Sequence, residues 1–133
     1  MTLVVDASVV VAALVDDGVV GRWSEAVLRD ADLAAPHLMP IEAANILRRG
    51  SLSGQISADT ATLAHADLCQ LPVVLFPYGL LAGRTWDLRS NVTVYDACYI
   101  ALAEILDVAL VTLDRRLAAA TGPRCTFQLP PLG

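Results

Sequence analysis

The sequence contains no lysine; all nine of its basic residues are arginines. This counts against a metal-dependent phosphatase, in which a conveniently placed lysine assists a nucleophilic aspartate. Histidine is nearly as scarce: His37 and His65 stand too far apart for a histidine-based metal site. Cys69, Cys98 and Cys125 are odd in number and widely spaced, which argues against a disulfide framework and a zinc site. They read as three buried thiols. No apolar run approaches the about 18 residues of a membrane span. Asp6 interrupts the N-terminal apolar stretch and no basic residue precedes it, so no signal peptide is expected and the chain reads as cytosolic.

Charge is also sparse, at 17% of 133 residues, and the balance is acidic, with a net charge of −5. A broad basic surface for non-specific nucleic-acid binding is excluded. Hydrophobic residues make up 56% of the chain, above the roughly 45–50% of typical domains. Such a surplus suits a sheet buried on both faces, together with apolar surface kept for another chain. The length fits a single domain spanning 1–133.

Short apolar runs alternate with helical spacing. Strands are expected at Leu3–Val5, Leu33–Ala35, Val73–Phe76, Ala109–Thr112 and Cys125–Phe127. Between them lie a helix capped by Ser8 and broken at Asp16-Asp17-Gly18, and another over Val20–Asp30. Others run from Leu38 to a stop at Gly50, over Ala58–Cys69 behind the cap Ser57, and over Leu80–Arg89. The most apolar, Asp96–Leu106, should be buried, and a short one follows at Arg115–Ala120. This alternation indicates an α/β fold with a central parallel sheet of about four to five short strands and helices on both faces. The tail after Gln128 reads as irregular.

In such sheets ligands bind beyond the carboxyl ends of the strands, and that rule sorts the 14 acidic residues. Asp6 directly follows the first strand, and Asp114 lies just past the strand ending at Thr112. Asp96 opens the most apolar helix, and Glu42 sits in the first turn of another, where a buried carboxylate needs a partner. Each acid has a structural alternative. Asp96 and Glu42 favour helix N-termini through the dipole, Asp6 can cap a helix, and Asp114 can start a turn. Four converging carboxylates without histidine or cysteine form a hard oxygen site suited to Mg²⁺, with Mn²⁺ the alternative. Water activated by such a metal attacks phosphodiesters.

At these positions the chain resembles the PIN-domain nucleases, and within them the VapC-type ribonuclease toxins of toxin–antitoxin pairs. The matching pieces are Val5-Asp6-Ala7-Ser8-Val9, Glu42-Ala43-Ala44-Asn45-Ile46-Leu47-Arg48-Arg49, Tyr95-Asp96-Ala97-Cys98-Tyr99-Ile100-Ala101-Leu102-Ala103 and Thr112-Leu113-Asp114-Arg115-Arg116-Leu117. Their order, their spacing and the total length all match the family, so the resemblance covers essentially the whole chain. The resemblance implies a PIN-like fold and Mg²⁺-dependent endoribonuclease activity. Asp6 and Asp96 would be direct metal ligands, with Glu42 and Asp114 completing the acidic site. Ser8 and Thr112 would be small hydroxyls ordering the site beside the substrate, and Asn45 would orient Glu42 or a nearby loop. It further implies a homodimer and a VapB-type antitoxin whose C-terminal segment occupies the acidic site.

Two other classes compete. A metal-dependent phosphatase wants the lysine this chain lacks. A catalytically silent RNA- or partner-binding module would be favoured by a missing acid, and none is missing. Arg84, Arg89, Arg115 and Arg116 are candidates for RNA-backbone contacts or for pairing with surface acids. Trp23 and Trp86 read as core or interface anchors rather than base-stacking platforms.

Overall fold

A computed structural model of the chain describes residues 1–132. Five strands, β1 (Thr2–Val5), β2 (Asp32–Pro36), β3 (Val73–Phe76), β4 (Leu110–Val111) and β5 (Phe127–Gln128), form one sheet in the order β3-β2-β1-β4-β5. Every pairing is parallel. Parallel neighbours require crossovers, and here they carry helices. These are α1 (Ala7–Val15) and α2 (Val19–Asp30), α3 (Met39–Ser53) and α4 (Ala58–Gln70), α5 (Ala82–Asp87) and α6 (Val94–Leu106), and the short α7 (Arg115–Ala118). Leu3, Val4 and Val5 are buried in succession, as are Leu33, Ala34 and Ala35. Successive side chains point to opposite faces, so both faces of these central strands are covered.

From β1 the chain moves outward on one side through β2 and β3. It then crosses back by way of α5 and α6 to place β4 on the other side of β1. The carboxyl ends of β1 and β4 therefore form a topological switch point, where the connections diverge and leave a crevice. Residues 97–103 of α6 are all buried, as its apolar composition requires, and they pack in the same core cluster as β1, β2 and β4.

Several expectations need correction. Ser8 does not cap α1: the extended backbone belongs to Asp6, whose carboxylate accepts the Val9 amide at 3.1 Å. Gly50 does not stop α3, which continues to Ser53 and ends at Gly54, whose φ of 81° suits glycine alone. The absent side chain at Gly50 instead leaves room for Ile56. The helix expected over Leu80–Arg89 is split into a 3-10 turn at Tyr78–Leu80 and α5, although Leu81, Thr85 and Leu88 still form its buried face. Asp96 does not open α6; Thr93 caps that helix and accepts the Asp96 amide at 3.1 Å. α7 stops at Ala118, and the last strand lies at Phe127–Gln128. Of the three thiols only Cys98 is buried, while Cys69 is exposed. No helix among the described residues is long and apolar enough to cross a membrane.

Candidate active site

At the switch point a polar cleft of about 430 Å³ opens, and Asp6, Glu42, Asp96 and Asp114 all line it. They come from four separate places: the end of β1, the first turn of α3, the first turn of α6 and the cap of α7. Ser8, Asn45, Arg49 and Tyr99 complete much of the wall.

Asp6 is held on three sides. Its Oδ1 accepts the Ser8 hydroxyl at 2.6 Å and the Val9 amide, and its Oδ2 accepts the Thr112 hydroxyl at 2.5 Å. Thr112 in turn accepts the Asp114 amide at 3.0 Å, tying the ends of β1 and β4 together. Thr112 is fully buried. It therefore lies beneath the cleft and orders two acids. Ser8 does reach the wall. Burial raises the Asp6 carboxyl above its ordinary value even though these hydrogen bonds pull the other way.

Glu42 finds the partner its apolar surroundings require in Tyr99, whose phenol donates to Oε1 at 2.5 Å. Tyr99 is 2% exposed. Burial, and then the neighbouring Glu42, push its own ionisation far upward, so it remains a donor. Burial also raises Glu42, with the negative charges of Asp96 and Asp6 adding to the effect against the Tyr99 hydrogen bond. Asp96 is likewise raised, first by burial and then by Asp114 and Asp6, with Thr93 opposing. Three carboxyls thus share one signature: partial burial, with like charges facing two of them. Asp114 is exposed, and its Oδ1 caps α7 by accepting the Arg116 and Leu117 amides at 2.9 and 3.1 Å. The capping and cleft-lining readings of Asp6 and Asp114 are both true, because a cap at the carboxyl end of a parallel strand already faces the crevice.

Among the described residues, no three Asp, Glu, His or Cys side chains stand close enough to enclose one ion as placed. The donor set is nonetheless all hard oxygen. Mg²⁺ keeps several waters and binds through one or two carboxylates, so four acids spread around a cleft suit it without a closed protein cage.

Reasoning from sequence missed Tyr99 and Arg49. The signal for both was spacing: Tyr99 lies three residues after Asp96 and Arg49 seven after Glu42, each on the same helix face as its acid. The four arginines singled out from sequence separate clearly. Arg84 is taken up by Glu104 at 2.7 Å and by the Gly122 carbonyl. Arg115 donates to the Pro130 carbonyl. Arg89 and Arg116 stay exposed. Trp23 packs on the core, whereas Trp86 is 59% exposed and is no core anchor.

Residues 3–123 match the PIN domain. The chain belongs to the PIN-domain family. Within that family its relatives are the VapC ribonucleases: it is 44% identical to ribonuclease VapC1 of Mycobacterium tuberculosis over 127 residues, covering 95% of this chain and 96% of that one. Among solved structures, PAE2754 from Pyrobaculum aerophilum superposes with a TM-score of 0.70 at 24% identity, over 96% of this chain and 83% of that one. VapBC2 from Rickettsia felis, solved bound to a DNA fragment from its promoter, gives 0.68 at 11% identity, covering 97% and 98%.

Proposed function

We propose that this protein is a metal-dependent endoribonuclease, the toxin of a VapBC-like pair. One observation carries the reading: four carboxylates from four chain segments meet in one cleft at the β1–β4 switch point, with Arg49 as the basic side chain on its wall. Like charges in such excess in a cleft are costly, and they persist where a cation is to be bound. The relatives named ribonucleases direct that chemistry to RNA.

Asp6 and Asp96 are the candidate direct ligands of Mg²⁺ or Mn²⁺, with Glu42 and Asp114 reaching it through water. When bound, the metal supplies a water activated toward phosphorus and offsets the charge that builds on the phosphate. The protein's part is positioning. Ser8, Val9 and Thr112 fix both oxygens of Asp6, and Tyr99 fixes one oxygen of Glu42, leaving lone pairs for the cleft. Raised carboxyl values place this set of acids in competition between protons and metal. Cleavage should therefore fall as pH drops through the raised carboxyl range, where protons displace the metal.

A VapB-type antitoxin is the expected protein partner, a pairing seen in VapBC2 of Rickettsia felis. The homodimer implied by the resemblance has a natural surface in the apolar hollow formed by Ile41, Tyr78, Val94 and Tyr95.

Cleavage of a mixed RNA pool by purified protein, with Mg²⁺ or with EDTA, tests the reading. Mg²⁺-dependent products that disappear in both Asp6→Asn and Asp96→Asn are expected. Activity surviving EDTA, or surviving both substitutions, rules the mechanism out.

A further inference from the structure

The acidic cleft does not end at its carboxylates. Asp96 and Asp114 also form a wall of a second cleft, of about 520 Å³, whose other sides carry Arg89 and Arg116. Both arginines are exposed, and neither makes a salt bridge among the described residues. Arg84 and Arg29, by contrast, are paired with carboxylates, and Arg89 and Arg116 are the basic residues that line this cleft.

Arg89 is held in place without being neutralised. Its Nη1 donates to the Trp86 carbonyl at 2.7 Å, and its guanidinium lies 4.7 Å from the centre of the Trp86 ring. Stacking on an indole restricts the side chain while leaving most of its five donors free. Arg116 is anchored by its backbone, since its amide bonds Asp114. The backbone of Arg116 is thereby held beside a carboxylate of the acidic cleft.

A chain of net charge −5 that concentrates four acids at one site repels a polyanion. Metal offsets the charge at one phosphate only, and the neighbouring phosphates of the strand need cations of their own. Resting on the nuclease reading, we propose that the second cleft is a phosphate subsite: Arg89 and Arg116 bind a backbone phosphate adjacent to the one cut, and so set the path of single-stranded RNA across Asp96 and Asp114.

The test uses the full chain and a short fluorescein-labelled single-stranded RNA of mixed sequence. Binding is followed by anisotropy in EDTA across a potassium chloride series, and cleavage is followed in Mg²⁺. The variants are Arg89→Ala with Arg116→Ala, the matching double lysine variant, and Arg29→Ala as a remote charge control. For single strands each lost phosphate contact should reduce the slope of log K against log salt by about 0.7, so the alanine pair, which gives up one phosphate, should lose about 0.7. Its KM should rise by roughly tenfold with kcat within about twofold, because a phosphate contact away from the reacting bond contributes uniform binding. The lysine pair should keep the slope, and Arg29→Ala should match wild type. An unchanged slope and KM in the alanine pair overturns the proposal and assigns the cleft to an acidic protein segment instead. A reduced slope in a protein that cleaves nothing upholds the phosphate subsite while the nuclease reading fails.

Discussion

Tyr99 ties a buried phenol to the carboxylate of Glu42 across 57 residues of sequence, in a single hydrogen bond of 2.5 Å. Because the phenol is buried and faces a carboxylate, it cannot ionise to relieve the contact, and it can only donate. Tyr99→Phe keeps the ring and deletes that donor. Glu42 then loses its one fixed oxygen, at a stability cost of about 1 kcal/mol. We expect kcat/KM to fall by about tenfold, equivalent to about 1.4 kcal/mol of transition-state stabilisation. Weaker Mg²⁺ binding, read as a higher metal concentration for half-maximal cleavage, should accompany it. A variant with wild-type metal dependence would show that Tyr99 serves packing alone.

Between elements, two contacts carry most of the local logic. α1 and α2 approach so closely that a Cβ at Gly21 would sit 1.8 Å from the Asp16 carbonyl oxygen. That oxygen is backbone at the end of α1, so it cannot swing away. Gly21→Ala should therefore cost about 1–3 kcal/mol, seen as a lower urea midpoint. α5 and α6 are joined by Arg84 and Glu104, and Glu104 also accepts the Arg124 amide at 2.8 Å. Burial raises the Glu104 carboxyl, but the Arg84 hydrogen bonds, the Arg124 amide and both positive charges outweigh it and hold the group below its ordinary 4.5. A lowered folded value means the stabilisation is present above the unfolded value and is lost as pH falls through the folded one. Glu104→Gln should thus melt below wild type at neutral pH, by about 1 kcal/mol after solvent screening. The difference should shrink as pH drops below about 4.5, where the unfolded carboxyl takes up its proton.

The molecule as a whole carries an apolar hollow whose lining includes Ile41 of α3 and Val94 and Tyr95 of α6. Ile41 is 72% exposed and Tyr95 66%, each adjacent in sequence to a cleft carboxylate. Large exposed apolar side chains gathered around a hollow mark a surface meant for another chain. Light scattering should give about twice the 14.1 kDa of one chain. Ile41→Asp should return the mass to that of one chain while leaving the melting transition cooperative. A wild type that runs as a monomer would remove the dimer from the proposal.

Composition and spacing determined much of this protein without any coordinates. Continuous apolar runs such as Leu3–Val5 announced strands buried on both faces, and the carboxyl-edge rule picked Asp6, which directly follows such a run, and Asp114, which lies just past one. Helical spacing placed Glu42 and Asp96 near helix starts. These readings depend on local periodicity and on chain connectivity, both of which are written in the order of residues. The tertiary structure alone decided what crosses that order: the Tyr99–Glu42 bond, the Thr112 bridge between β1 and β4, and which arginines are spent. Arg84 and Arg116 look alike in sequence, yet one meets Glu104 on a packed helix and the other faces an acidic cleft. The same holds at helix ends, where Gly50 was expected to stop α3, yet the helix runs on to Ser53 and Ile56 packs against Gly50. Partner choice of this kind depends on distances between remote segments, and those exist only once the sheet has brought the segments together.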